Sequence, residues 1–266
     1  MRGLVGSLYT TPVQLLISVR SRDEALAAIQ GGADIIDAKE PTAGALGAVS
    51  LATFASIADC IAGDVPVTAA LGDADGEPSL EDHARAFGQA GAAFVKVGFA
   101  GIDSLARVSS LVTAARRGVS TTGAAVVAVA YADHDRVAAL SPDLIVAAAA
   151  VAGAQGVLLD TATKDGVGLL QLFDESQLRA WVCRVQARGM FAALAGQLRA
   201  IDLAMVESMG ADIAGVRGAA CDGDRLGRIN AGKVRALASI RLRIQPGAEG
   251  ADPRSDAGRR SQPYGG

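Results

Sequence analysis

Lysine is scarce in this sequence. Of 25 basic residues only four are lysine, Lys39, Lys96, Lys164 and Lys233, and the rest are arginine. Genome base composition alone can produce such a bias. Yet arginine cannot lose its proton, so wherever lysine has been kept a titratable amine is a candidate requirement. Cysteine is equally sparse. Cys60, Cys183 and Cys221 are scattered along the chain, which excludes a disulfide framework and a zinc spacing and makes a cytoplasmic protein the plain reading. The only histidines, His83 and His134, lie far apart without metal-ligand spacing, so no metal is expected and both are assigned to the surface. No apolar run escapes interruption by Gly or Asp for the roughly 18 residues that a membrane span needs. Residues 1–12 lack the charged start, apolar centre and cleavage site of a secretory signal. A net charge of -3 leaves no basic footprint for nucleic acid.

What is present is hydrophobic bulk. Half of the 266 residues are hydrophobic, enough for one large domain or two small ones. Residues 1–12 read as a loose leader. Short apolar strands then alternate with helices. The strands are read at 13–19, 33–39, 65–71, 92–98, 124–132, 155–160, 190–195 and 211–216. The helices are read at 21–31, 51–62, 80–90, 105–117, 142–152, 175–188, 200–209 and 231–242. Strict alternation of this kind predicts an α/β protein with a parallel sheet. Eight units in about 230 residues predict a single-domain (β/α)8 TIM barrel over 13–243. An internal repeat supports this: Gly-Gly-Ala-Asp, Ala-Gly-Ala-Ala, Ala-Gly-Ala-Gln and Met-Gly-Ala-Asp precede the four even strands. Each puts a glycine just past a helix, where a left-handed stop is wanted. The Pro-, Gly-, Arg- and Ser-rich tail at 244–266 is expected to be disordered.

Barrel chemistry sits at the C-terminal ends of the strands. The second strand ends Ile35-Ile36-Asp37-Ala38-Lys39. Positions i and i+2 share a strand face, so Asp37 and Lys39 point together and Ile36 points away. Lys96 likewise alternates with Val95 and Val97 and is turned into the mouth, and Asp160 and Lys164 leave the sixth strand on one side. One lysine crowded by two other cations has a lowered pKa and can attack an aldehyde to form a Schiff base, while another lysine or an aspartate moves protons. Taken singly, each Asp/Lys pair is as readily a structural ion pair. Three inward lysines are harder to explain that way, because burying like charges without an anionic ligand is costly.

The loops after strands seven and eight carry Gly196 and the run Gly215-Val216-Arg217-Gly218-Ala219. Barrels bind phosphate at these two loops through backbone N–H groups, to which Arg217 would add charge. Plain turns use glycine there too. Gly44 and Gly47 form either a second anion-binding loop or a simple turn. Tyr131, Asp133 and Asp73 bond substrate or serve packing, and Cys221 and Lys233 are read as incidental and solvated.

Taken in order, Asp34-Ile-Ile-Asp-Ala-Lys-Glu-Pro41 with Gly44-Ala-Leu-Gly47, Val95-Lys-Val-Gly98, Leu159-Asp-Thr-Ala-Thr-Lys-Asp-Gly166, Leu194-Ala-Gly196 and Gly215-Val-Arg-Gly-Ala-Ala-Cys221 resemble the (5-formylfuran-3-yl)methyl phosphate synthase family. The resemblance implies a lyase of methanofuran biosynthesis. Such a lyase condenses two molecules of glyceraldehyde 3-phosphate, with loss of phosphate and water. It further implies that Lys39 is the Schiff-base lysine, that Lys96 accepts a proton, and that Asp37, Asp160 and Lys164 assist. No cofactor is expected, and the partner is a small triose phosphate rather than nucleic acid or membrane; a homo-oligomer is left open. The alternatives are another Schiff-base aldolase, a sugar-phosphate isomerase, and a non-catalytic barrel that binds a phosphorylated ligand.

Overall fold

The computed structural model describes residues 12–242. The leader expected over 1–12, apart from Pro12, and the tail expected over 244–266 lie outside the described residues. Eight strands run in chain order: β1 (Gln14–Val19), β2 (Ile35–Ala38), β3 (Val67–Asp73), β4 (Phe94–Gly98), β5 (Ala125–Tyr131), β6 (Gly156–Asp160), β7 (Phe191–Leu194) and β8 (Ile213–Val216). Each pairs in parallel with the next. β8 returns to β1 with Gln14 opposite Ile213, which closes the barrel. Around it stand α1 (Arg22–Gln30), α2 (Leu51–Ile61), α3 (Glu77–Gln89), α4 (Leu105–Val119), α5 (Pro142–Ala152), α6 (Leu169–Leu172), α7 (Glu175–Gln186), α8 (Leu203–Ser208) and α9 (Ala231–Leu242). None of the described helices is long and apolar enough to cross a membrane.

The strands sort their side chains by alternation. Ile36, Val95, Val97, Val157 and Leu159 are buried outward against the helices. Leu16, Ile35, Val127, Leu158 and Ile213 fill the barrel interior. Phe94 and Phe191 begin β4 and β7, and their rings meet edge to face at 5.2 Å, near the N-terminal end.

The repeat read from the sequence has its conformational reason here. Gly32, Gly91, Gly153 and Gly210 all adopt positive φ, between 74° and 94°, immediately before β2, β4, β6 and β8. A side chain is disfavoured in that conformation, so glycine ends each helix where the chain must turn into the next strand.

Two connections differ from expectation. The helix expected over 200–209 is a 3₁₀ turn, Ala200–Asp202, followed by the shorter α8. Asp202 accepts from the Arg199 backbone N–H at 2.8 Å and from its guanidinium, and so stabilises the turn. The short α6 within the β6–α7 connection was not expected. It is docked by Leu169, whose N–H donates to the Gly196 carbonyl at 2.9 Å.

Candidate active site

At the C-terminal end of the barrel a cavity of about 590 Å³ opens. The five residues expected for catalysis, Lys39, Lys96, Asp37, Asp160 and Lys164, line it together with Gly196, Gly215, Arg217, Gly218 and Ala219, whereas Gly44, Gly47, Asp73, Tyr131 and Asp133 are not part of its lining.

Asp37 lies at the centre of one half. It is buried on β2, opposite Ser18 of β1 and Thr68 of β3 in the register. Ser18 Oγ and Thr68 Oγ1 each donate to its carboxylate at 2.9 Å, and Lys96 forms an ion pair with it. Burial pushes the Asp37 carboxyl upward, but the Lys96 and Lys39 charges and the hydrogen bonds from Lys96 and Thr68 outweigh it and hold the group below its ordinary value. Lys96 moves down as well: burial disfavours its charged form more strongly than the Asp37 carboxylate favours it, and nearby Lys39 adds repulsion.

The other half is built on β6. Lys164 Nζ donates to Asp160 Oδ1 at 2.8 Å and to the Thr161 carbonyl at 2.6 Å. Burial raises the Asp160 carboxyl, but Lys164 and Lys39 draw it down. Burial lowers the Lys164 amine, against the pull of Asp160.

Lys39 stands between the halves. Its charge acts on both aspartates and both other lysines. Yet among the described residues its amine makes no hydrogen bond and has no carboxylate at ion-pair distance. The side chain is 9 % exposed and faces the cavity. Three amines therefore share two carboxylates; Asp37, expected beside Lys39, pairs with Lys96 instead, and Lys39 is left unpaired among the described residues.

The backbone at the two glycine loops is equally specific. Gly196 and Gln197 take consecutive positive φ values of 104° and 57°. A Cβ on Gly196 would lie 3.1 Å from Leu169 Cβ and from Thr161 Cγ2, so glycine fits both the conformation and the space. Gly218 and Ala219 begin a 3₁₀ turn whose leading N–H groups have no partner inside the turn.

Arg217 requires a correction. Its guanidinium does not offer itself to an anion. Nη1 donates to Glu24 Oε2 and to the Ser18 carbonyl, Nε to the Arg225 carbonyl, and Nη2 to Glu24 Oε1 and the Gly227 carbonyl. All five N–H donors are thereby used, in a pair with Glu24 that is buried on both sides. Arg217 thus anchors the loop after β8 to α1.

Tyr131 and Asp133 also turn to the protein. Tyr131 donates to Asp73 Oδ1 at 2.7 Å, and burial beside that carboxylate pushes its phenol up. Asp133 accepts from the Ala162 and Thr163 N–H groups and from Thr163 Oγ1, so it ties the β6 loop to β5. His83 is exposed as expected, but His134 is half-buried. Lys233 lies outside the cavity; it is partly exposed and bonds the Cys221 carbonyl. No cluster of His, Cys, Asp and Glu among the described residues could hold a metal ion.

Between Gly44 and Gly47 the chain is a close-packed turn. Glu40 N–H donates to the Gly47 carbonyl at 2.8 Å, and a Cβ on Gly47 would fall 2.3 Å from the Glu40 carbonyl oxygen. The carbonyl belongs to the backbone that follows Lys39 and cannot swing aside. Gly47→Ala is expected to cost about 1–3 kcal/mol, read as a lower urea midpoint.

Ser18, Thr68, Glu24 and Arg225 were not anticipated. The first two were legible in principle, since each is a polar residue at an inward position of an apolar strand.

A family model described as 4-HFC-P synthase matches residues 15–238. The chain is 37% identical over 229 residues to (5-formylfuran-3-yl)methyl phosphate synthase of Methanosarcina barkeri, covering 85% of this chain and 97% of that one. It is 39% identical over 230 residues to the protein of the same name from Methanopyrus kandleri, with the same coverage. Among solved structures it is similar to 3-hexulose-6-phosphate synthase, with a TM-score of 0.57 at 22% identity over 85% of this chain and 99% of that one. It is also similar to KGPDC from Streptococcus mutans, with a TM-score of 0.60 at 15% identity over 88% and 100%. At such identities these likenesses establish the barrel fold alone.

Proposed function

The chain belongs to the 4-HFC-P synthase family, and from that premise we propose that it condenses two molecules of glyceraldehyde 3-phosphate through an imine on Lys39. The product is (5-formylfuran-3-yl)methyl phosphate, with loss of phosphate and water, and it serves the building of a methanofuran-type one-carbon carrier. The observation that carries this reading is the unpaired Lys39 amine between two ion-paired lysines. Imine formation requires a neutral amine, and a site with three amines and two carboxylates balances its charge when one amine is neutral. Lys39 can meet a carbonyl carbon without breaking an ion pair, which neither Lys96 nor Lys164 can do.

The neighbours have distinct tasks. Lys96, with its pKa lowered, suits a proton acceptor, and Asp37 stabilises it again once it is charged. Lys164 and Asp160 stand on the opposite side, where a second proton donor and acceptor are needed for dehydration. The cavity volume lies in the range that holds a drug-sized ligand, and two triose phosphates together have roughly twenty non-hydrogen atoms. The backbone after β7 and β8 gives one phosphate its seat.

Incubation with glyceraldehyde 3-phosphate and borohydride is expected to leave a reduced adduct on Lys39, located by mass spectrometry. The unreduced reaction is expected to develop the near-ultraviolet absorbance of a conjugated furaldehyde, which a simple aldol or ketose lacks. No adduct, or an adduct on Lys96 or Lys164 alone, overturns the assignment.

A further inference from the structure

Two triose phosphates bring two phosphate groups into one cavity, whereas the loops after β7 and β8 form one seat. We propose that Arg225 forms the second phosphate seat; the inference rests on the reaction proposed above for its substrate, though not for its geometry.

Arg225 is built into place. The loop that carries it is closed at its base by the antiparallel bridge between Cys221 and Ile229 and by the Asp222 N–H donating to the Arg228 carbonyl at 2.9 Å. Its own carbonyl accepts from Arg217 Nε at 2.7 Å, and Arg217 is fixed to Glu24. The backbone is therefore held from behind, and the side chain lines the cavity and reaches the opposite rim. There Nη2 donates to the Gly44 carbonyl at 3.3 Å, a long bond across the mouth.

That bond is the sole hydrogen bond of the guanidinium among the described residues, and no carboxylate lies at ion-pair distance. The other arginines near the mouth are committed. Arg20 and Arg217 pair with Glu24, Arg199 with Asp202, and Arg136 with Asp165. Arg225 is half-buried, and the charges nearest to it are already engaged: Asp160 by Lys164, and Arg217 by Glu24. Asp224, at the exposed rim, accepts from the Leu226 N–H. A partly desolvated guanidinium with most of its donors idle is costly unless an anion completes it. Its planar fork matches two oxygens of a phosphate. Lys39 and Lys164 line the same cavity, so a phosphoryl group held by Arg225 leaves the rest of a three-carbon chain in the space that the lysines share.

The test uses the full chain, Arg225→Gln and Arg225→Lys. Inorganic phosphate is expected to raise the melting temperature of the wild type, and to raise that of Arg225→Gln less. The half-saturating concentration of glyceraldehyde 3-phosphate is expected to rise about tenfold or more in Arg225→Gln, with a smaller rise in Arg225→Lys, which keeps the charge and loses the fork. Should the glutamine variant melt early without ligand, the lysine variant takes its place in both measurements. If borohydride leaves no adduct on the wild type while the phosphate-induced shift still shrinks in the variant, the reaction falls and the seat stands. If the adduct forms and a folded variant keeps both the full shift and the wild-type half-saturation, the seat falls and the reaction stands.

Discussion

A Lys39→Met variant is expected to lose turnover by about four orders of magnitude or more, and yet to melt within a few degrees of the wild type or above it. The two halves of that result come from one observation. The amine makes no hydrogen bond and no direct ion pair among the described residues, so its removal orphans no partner. Its charge is attracted by two groups, Asp37 and Asp160, and repelled by two, Lys96 and Lys164. What remains is the cost of burying an amine without a partner, which methionine at similar length does not incur. Lys39→Arg separates charge from nucleophile. It keeps a cation between the halves but cannot form an imine, so it is expected to be as inactive as Lys39→Met. Circular dichroism melting and borohydride trapping on the same preparations check both halves. A Lys39→Arg variant that turns over would remove Lys39 from the chemistry, and a large drop in melting temperature for Lys39→Met would assign it a structural role instead.

The legible and illegible parts of this molecule divide by range of interaction. The strands β2, β4 and β6 could be read because alternation is local: Ile36 and Val95 must go outward, so Asp37 and Lys96 must go inward. The four left-handed glycines could be read because the demand for positive φ is set within one turn of chain. Arg217 could not be read, because its partner is nearly two hundred residues away in sequence. A basic residue at the phosphate end of a barrel is reasonably assigned to phosphate until Glu24, buried on α1, is seen to claim it. Arg225 failed for the converse reason. It lies in an irregular loop with no period, and only closure of the β8 loop over the mouth turns its side chain across to Gly44. Ser18 and Thr68 belong to a third case. Their positions followed from alternation, but their task became visible only when the register set them beside Asp37.

Removing Asp37 is expected to harm the fold, in contrast to Lys39. In Asp37→Ala, Lys96 keeps its buried place and loses its one ion-pair partner among the described residues, while Ser18 and Thr68 lose the acceptor for their hydroxyls. Breaking a buried pair from one side costs about 3–5 kcal/mol, because the remaining charge is left uncompensated. A urea melt at neutral pH reads this directly. The loss should shrink in alkali. Burial already lowers the Lys96 pKa, and without Asp37 it falls further, whereas in the unfolded chain it returns to its ordinary value near 10.5. Between those two values the unfolded chain binds the additional proton, so stability of the variant rises with pH across that window. The double variant Asp37→Leu with Lys96→Met replaces the pair by apolar side chains. It is expected to recover most of the stability, since well-packed hydrophobic residues often equal or exceed a buried ion pair, but to stay inactive. Recovery of stability without activity would mean that the barrel tolerates an apolar interior at this level and that the pair serves the reaction. A double variant as unstable as Asp37→Ala would make the carboxylate, with its two hydroxyl donors, a structural tie between β1, β2 and β3.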